Sequence, residues 1–155
     1  MYRESILPVN AATGLEGGTL SREDFITHWG SIEKVLDSEP EMWADYFTKE
    51  SIYSDVMNGN IQVWAFSKEG KIRVVLFTRL VEYPAVRVLH IMMGFGNELK
   101  QFLPQIEATL EHFARVMKCG MCEIIGREGW EKILSHRFKK HGVVLRSEIR
   151  QDKVN

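Results

Sequence analysis

From Ser21 onward the apolar residues Phe25, Trp29, Ile32 and Leu36 recur at intervals of three or four. This spacing predicts an amphipathic helix, with Ser21 and Asp24 forming its start signal. The preceding residues 1–20 lack this periodicity. They carry Asn10-Ala11-Ala12-Thr13-Gly14 and Gly17-Gly18 and read as an irregular N-terminal arm. Ser38-Glu39-Pro40-Glu41 is a second start signal, with Ser38 as cap and Pro40 in the first turn. Short helices are then expected to carry Met42, Trp43, Tyr46 and Phe47, followed by Ile52, Tyr53, Val56 and Met57, with Gly59 as the stop.

At Ile61 the period shortens to two. Ile61–Phe66 reads as a strand, Ser67-Lys68-Glu69-Gly70 as a tight turn, and Lys71–Val81 as a second strand. Pro84 interrupts the pattern. Ala85–Met93 is a third strand, almost wholly apolar apart from Arg87 and His90, as expected of a strand covered on both faces. Gly94-Phe95-Gly96-Asn97 then opens the longest helix, about residues 98–118, with Phe102, Ile106, Leu110, Phe113 and Met117 on one face and Gly120 closing it. A short strand Met121–Gly126, a helix over about 129–141 and a last strand Val143–Ile149 complete the reading. The strand–helix–strand unit from Ala85 to Gly126 has the length of a right-handed crossover and hence of a parallel pair. The expected fold class is α+β with a mixed central sheet.

Composition narrows this picture. With 155 residues, 45% hydrophobic and 26% charged, residues 21–155 suit one globular domain. No apolar run reaches the roughly 20 residues of a membrane helix, and the start lacks a signal core. The chain therefore reads as soluble and cytoplasmic, without a membrane partner. The net charge of −1 argues against a surface built throughout for nucleic acid. It conceals a gradient: residues 1–60 sum to −7, 61–114 to +1 and 115–155 to +5.

The strings VLHIMMGFGNELKQF, ARVMKCGMCEII and FKKHGVVL, in this element order, resemble the GCN5-related N-acetyltransferase (GNAT) family over about residues 61–150. More narrowly, Gly59-Asn60-Ile61-Gln62-Val63-Trp64 and Gly126-Arg127-Glu128-Gly129-Trp130 look like small GNAT-like proteins of tailed bacteriophages. The GNAT resemblance implies N-terminal helices, a fourth strand splayed from the fifth, and a long helix after the splayed strand. It also implies acetyl-CoA in the gap, its pyrophosphate held by backbone N–H groups of Met93, Gly94, Phe95, Gly96 and Asn97.

At that loop, an N-terminal helix end with glycines suits a phosphate. Met92 stands where the family has Gln or Arg, however, Asn97 is able to cap the helix itself, and Glu98 places a carboxylate in the first turn. A self-capped, solvated helix start is the alternative. The catalytic Tyr of many members is replaced by Phe138, which has no hydroxyl. His90 and Glu123 are the candidates for a general base; a core histidine and a solvent-facing glutamate are their ordinary alternatives. Arg127 has a place at the cleft mouth or in a surface ion pair.

Cys119, Cys122, His136 and His141 have nearly the spacing of a two-Cys, two-His zinc finger. A zinc-binding nucleic-acid module is thus the remote alternative, but Cys119 follows a predicted helix rather than a strand, and small buried cysteines with no metal are expected. Two functions stay open. One is an acyl-CoA N-acyltransferase acting on a cationic amine or Lys-bearing acceptor drawn to Glu33, Asp37, Glu39, Glu41 and Asp45. The other is a catalytically silent GNAT-fold phage structural or assembly protein that binds phage proteins or self-associates.

Overall fold

The computed structural model describes residues 15–96, 99–126, 130–134 and 137–152. Its elements are β1 (Leu15–Thr19), α1 (Arg22–Ser38), a 3₁₀ turn (Pro40–Met42), α2 (Lys49–Met57), β2 (Gln62–Lys68) and β3 (Lys71–Glu82). They continue with β4 (Arg87–Gly96), α3 (Leu99–Val116), β5 (Met121–Ile124) and α4 (Trp130–Ile133). The strands form one sheet in the order β1-β2-β3-β4-β5, antiparallel as far as β4 and parallel between β4 and β5. The fold is α+β with a mixed sheet, as the change of period predicts.

Local chemistry accounts for most boundaries. The Ser21 side chain accepts a hydrogen bond from the Asp24 N–H at 3.0 Å, which caps α1. Thr48 and Ser51 form a reciprocal capping box at the start of α2. Glu69 and Gly70, both at positive φ, make the two-residue turn between β2 and β3.

Each face of the sheet has its own core. Trp64, Phe66, Val74, Leu76, Leu89 and Ile91 pack against Phe102, Ile106, Leu110 and Phe113 of α3. On the opposite face Val63, Val75, Phe77, Met93 and Phe95 pack against Phe25, Ile32 and Leu36 of α1 and Ile52 and Val56 of α2. Trp64 is fully buried, stacked on Phe66 and edge-on to Phe113. Its indole N–H donates to Thr78 Oγ1 at 2.9 Å, and Thr78 donates in turn to Gln62 Oε1 at 2.8 Å. The aromatic residues of the front end are largely core: Phe25, Trp29 and Tyr53 form a triangle of rings 5.1–5.3 Å apart, and the buried Trp43 donates to Leu36 O.

Several expectations are corrected. Leu15–Thr19, within the predicted irregular arm, is a strand whose backbone pairs with β2 from Leu15↔Lys68 to Thr19↔Trp64. Gly17 is required there by the close approach of Phe66. Ser38 donates to Val35 O instead of capping the Pro40–Met42 turn. The third strand runs to Gly96, not Met93, because β3 is long enough to pair with it throughout. Lys118, in the left-handed region, ends α3 ahead of Gly120. The predicted 129–141 helix is helical only over Trp130–Ile133 among the described residues, and the predicted strand Val143–Ile149 makes no ladder. Its apolar residues lie exposed instead of joining β5.

The Trp64–Thr78–Gln62 chain yields a stability test. Thr78→Val keeps the shape of the side chain and removes both hydrogen bonds in a buried setting. The expected cost is about 1–3 kcal/mol of unfolding free energy, read from a urea titration followed by circular dichroism.

Candidate functional site

The site is built around β4, which has two different neighbours. Against β3 it pairs along its whole length, from Glu82↔Arg87 to Val74↔Gly96. Against β5 it pairs only from Val88↔Met121 to Ile91↔Ile124. From Met92 onward the β5-facing edge of β4 has no strand beside it among the described residues. The two strands part immediately after Ile91, which is the splay that the sequence resemblance implies.

At the parting point β4 carries a bulge. Phe77 pairs with Met93 while Thr78 pairs with Ile91, leaving Met92 as the extra residue. The bulge reverses the alternation of faces. Leu89 and Ile91 point to the α3 core, whereas Met93 and Phe95 point to the α1–α2 core. His90 therefore lies on the α1–α2 side of the sheet, one residue before the strands part.

His90 is the register partner of Arg79 on β3 and of Glu123 on β5, so the three side chains form a row across three strands. The structure thus brings together the two base candidates, His90 and Glu123, and adds Arg79, which sequence reasoning missed because register alone places it. His90 is half-buried and Glu123 exposed. Burial, reinforced by the Arg79 charge, pulls the His90 pKa below its ordinary 6.5, and Glu123 opposes the shift.

The cofactor-loop candidates are placed differently from expectation. Met93, Gly94, Phe95 and Gly96 belong to β4, with Met93 and Phe95 buried in the α1–α2 core; Asn97 lies outside the described residues. A Cβ on Gly96 would stand 2.6 Å from the Arg73 carbonyl oxygen, so cross-strand packing by itself demands that glycine, whereas one on Gly94 would stand 2.6 Å from Leu76 Cδ2, the tip of a side chain. The Trp130 ring lies 3.6 Å from the Gly94 position and 3.1 Å from that of Gly126, spanning the gap between the diverging strands on the α3 side. Among the described residues the backbone edge of Met92–Gly96 is open on the β5 side, next to the Trp130 indole.

Phe138 packs against the α3 core and lines a cavity of about 350 Å³ together with Glu107, Glu111, Cys119 and Cys122. This cavity includes none of the base or loop candidates. Cys119 and Cys122 are free, and burial pushes both thiols up, Cys122 to about 12, which disfavours the thiolates that zinc takes as ligands. His136 and Arg127 lie outside the described residues. Among the described residues no helix is long and apolar enough to cross a membrane.

No family model matches the chain, and no curated protein sequence matches it. Solved structures do. An aminoglycoside acetyltransferase from an uncultured soil metagenomic sample, in complex with sisomicin, superposes with a TM-score of 0.66 at 14% identity over 88% of this chain and 97% of its own. A GNAT family acetyltransferase of Staphylococcus aureus gives 0.59 at 13%, over 87% and 98%. The glucosamine-6-phosphate N-acetyltransferase of Arabidopsis thaliana gives 0.58 at 11%, over 88% and 99%. The chain has the GNAT acetyltransferase fold.

The Arg79–His90–Glu123 row makes an electrostatic prediction. In a proton NMR titration the His90 ring is expected to titrate below pH 6.5. Arg79→Gln should move the midpoint up and Glu123→Gln should move it further down, since each removes one opposing charge. The sign also sets stability. Between the native value and 6.5 the unfolded chain binds the extra proton, so stability falls as pH drops through this window.

Proposed function

We propose that the protein is an acyl-CoA-dependent N-acyltransferase acting on a cationic amine. The observation that carries this reading is the parting of β4 from β5 after Ile91, with a half-buried histidine one residue before the gap. The fold likeness to acetyltransferases, the sisomicin complex among them, supports an amine acceptor.

In this reading the backbone edge of Met92–Gly96 holds the extended arm of acetyl-CoA, and the Trp130 indole packs beside it. The residues just ahead of α3, Asn97 included, receive the pyrophosphate. Bound acetyl-CoA supplies an activated thioester carbonyl. His90, kept neutral by burial and Arg79, accepts the proton that the acceptor nitrogen loses as it attacks. Glu123 beside it draws in the cationic acceptor and stabilises the imidazolium that forms. Phe138 has no proton to offer the leaving group, so that proton comes from water.

The second reading is a GNAT-shaped phage assembly component that binds a partner without catalysis. It draws support from Phe138 and from Gly96, which packing already explains.

Ligand binding separates the two. Acetyl-CoA at 100 times its dissociation constant adds about 2.7 kcal/mol to a native-state binder, which raises the unfolding midpoint of a chain this size by about 5–10 °C. The acyltransferase reading expects that shift and a change in Trp130 fluorescence that Trp130→Phe removes. An unmoved midpoint eliminates it. Given turnover on an amine, His90→Ala is expected to lower kcat by about 10²–10⁴-fold with acetyl-CoA binding retained, in a direct assay of thiol release. An unchanged kcat would remove His90 from the base role.

A further inference from the structure

The row Arg79, His90 and Glu123 sets opposite charges on either side of one histidine. The three side chains share the α1–α2 face of the sheet, because Arg79 pairs with His90 across β3 and β4, and His90 with Glu123 across β4 and β5. Arg79 and Glu123 are exposed and His90 is half-buried, so a ligand reaches the row from solvent. Two strand spacings, about 10 Å, separate the backbones of Arg79 and Glu123. Neither residue makes an ion pair or a side-chain hydrogen bond among the described residues. Arg79 differs in this from other arginines of the molecule. Arg87 is held by Glu82, Arg115 and Arg137 by Glu111, and Arg146 by Asp45. Those cations find their carboxylates within the chain, and Arg79 does not.

Proton transfer changes the charge balance of the row. Before it, the row holds one cation, a neutral imidazole and one carboxylate. When His90 takes a proton from the acceptor nitrogen, the row holds two cations and one carboxylate. Arg79 then opposes the imidazolium with the same charge that keeps the imidazole neutral. An anion seated on Arg79 removes that opposition. A plain amine matches Glu123 alone and leaves Arg79 without a partner. An amine that also carries an anion matches both ends of the row and sets its nitrogen beside His90.

We infer that the acceptor is an amine bearing an anionic group, a carboxylate or a phosphate, and that Arg79 holds this group. The inference rests on the acyltransferase reading and narrows its acceptor from a cationic amine to a doubly charged one. The guanidinium fork presents two parallel N–H donors, which suit either oxyanion. Arg79 is thus a specificity-determining residue: it fixes one end of the acceptor, and Glu123 draws the ammonium toward His90 at the other.

The test compares three primary amines of the same two-carbon spacing: ethanolamine, β-alanine and O-phosphoethanolamine. Thiol release from acetyl-CoA is followed at about pH 8, where histidine is neutral in every variant. The expected kcat/KM is at least about tenfold higher for one or both anionic amines than for ethanolamine, through KM, as a charge-assisted hydrogen bond requires. The preferred amine identifies the group as carboxylate or phosphate. Arg79→Gln should bring the ratio close to one. Arg79→Lys keeps the charge but loses the fork, and should restore part of the preference. Binding is read apart from turnover in the proton NMR signals of the His90 ring, which the anionic amines should move at lower concentration than ethanolamine does, an advantage absent in Arg79→Gln. Equal treatment of the three amines in both assays overturns the inference, and turnover on them leaves the acyltransferase reading standing. A preference that Arg79→Gln retains also overturns it. Absence of turnover with the NMR preference intact removes the acyltransferase reading and supports Arg79 as the anion-holding residue beside His90.

Discussion

The organisation of this molecule depends on one asymmetry in hydrogen bonding: β4 pairs with β3 at nine positions but with β5 at only four. Backbone groups freed from a ladder must find another partner or face water. The parting after Ile91 therefore creates a short polar edge inside an otherwise apolar region, and that edge gives the gap its chemistry. The bulge at Met92 falls at the same place. By reversing which side chains face which core, it lets one strand feed Leu89 and Ile91 to α3 and Met93 and Phe95 to α1 and α2. His90 lies one position before Ile91, the last residue of β4 paired with β5.

The same economy appears in the glycines. Gly96 is held to glycine by the Arg73 carbonyl, and Gly94 passes close to the Leu76 side chain. Packing and ligand access do not compete here: a strand that must pass close to its neighbour is also one whose backbone a ligand approaches without side-chain obstruction. Trp130, seated over Gly94 and Gly126, covers this backbone from one side. The gap is thus walled on that side by an aromatic ring.

Charge is distributed with similar economy. Part of the acidic excess of the front half is engaged in ion pairs, with Lys49 held by Glu33 and Asp37 and Arg146 by Asp45, and these carboxylates raise the pKa of both cations. Exposed pairs of this kind contribute little stability. The Arg146 contact does more for position than for energy, since it ties the C-terminal segment to the front of the chain, 101 residues away in sequence.

The sequence by itself determined the elements whose causes are local. The 3.6-residue spacing of Phe25, Ile32 and Leu36, the Ser21 cap, the Glu69-Gly70 turn and the amphipathic face of α3 are each legible because the physics acts within a few residues. It pointed also to His90 and Glu123 as chemistry-bearing residues. What it lacked was register. Nothing in the local pattern tells that Met92 is a bulge, that Gly94 to Gly96 continue a strand, or that Arg79, His90 and Glu123 share one row, because these arise from pairing between segments far apart in sequence. The C-terminal segment shows the limit most plainly. Val143–Ile149 has the alternation of a strand, yet a strand exists only where an edge receives it. Tertiary structure decided that, among the described residues, the outer edge of β5 receives no strand.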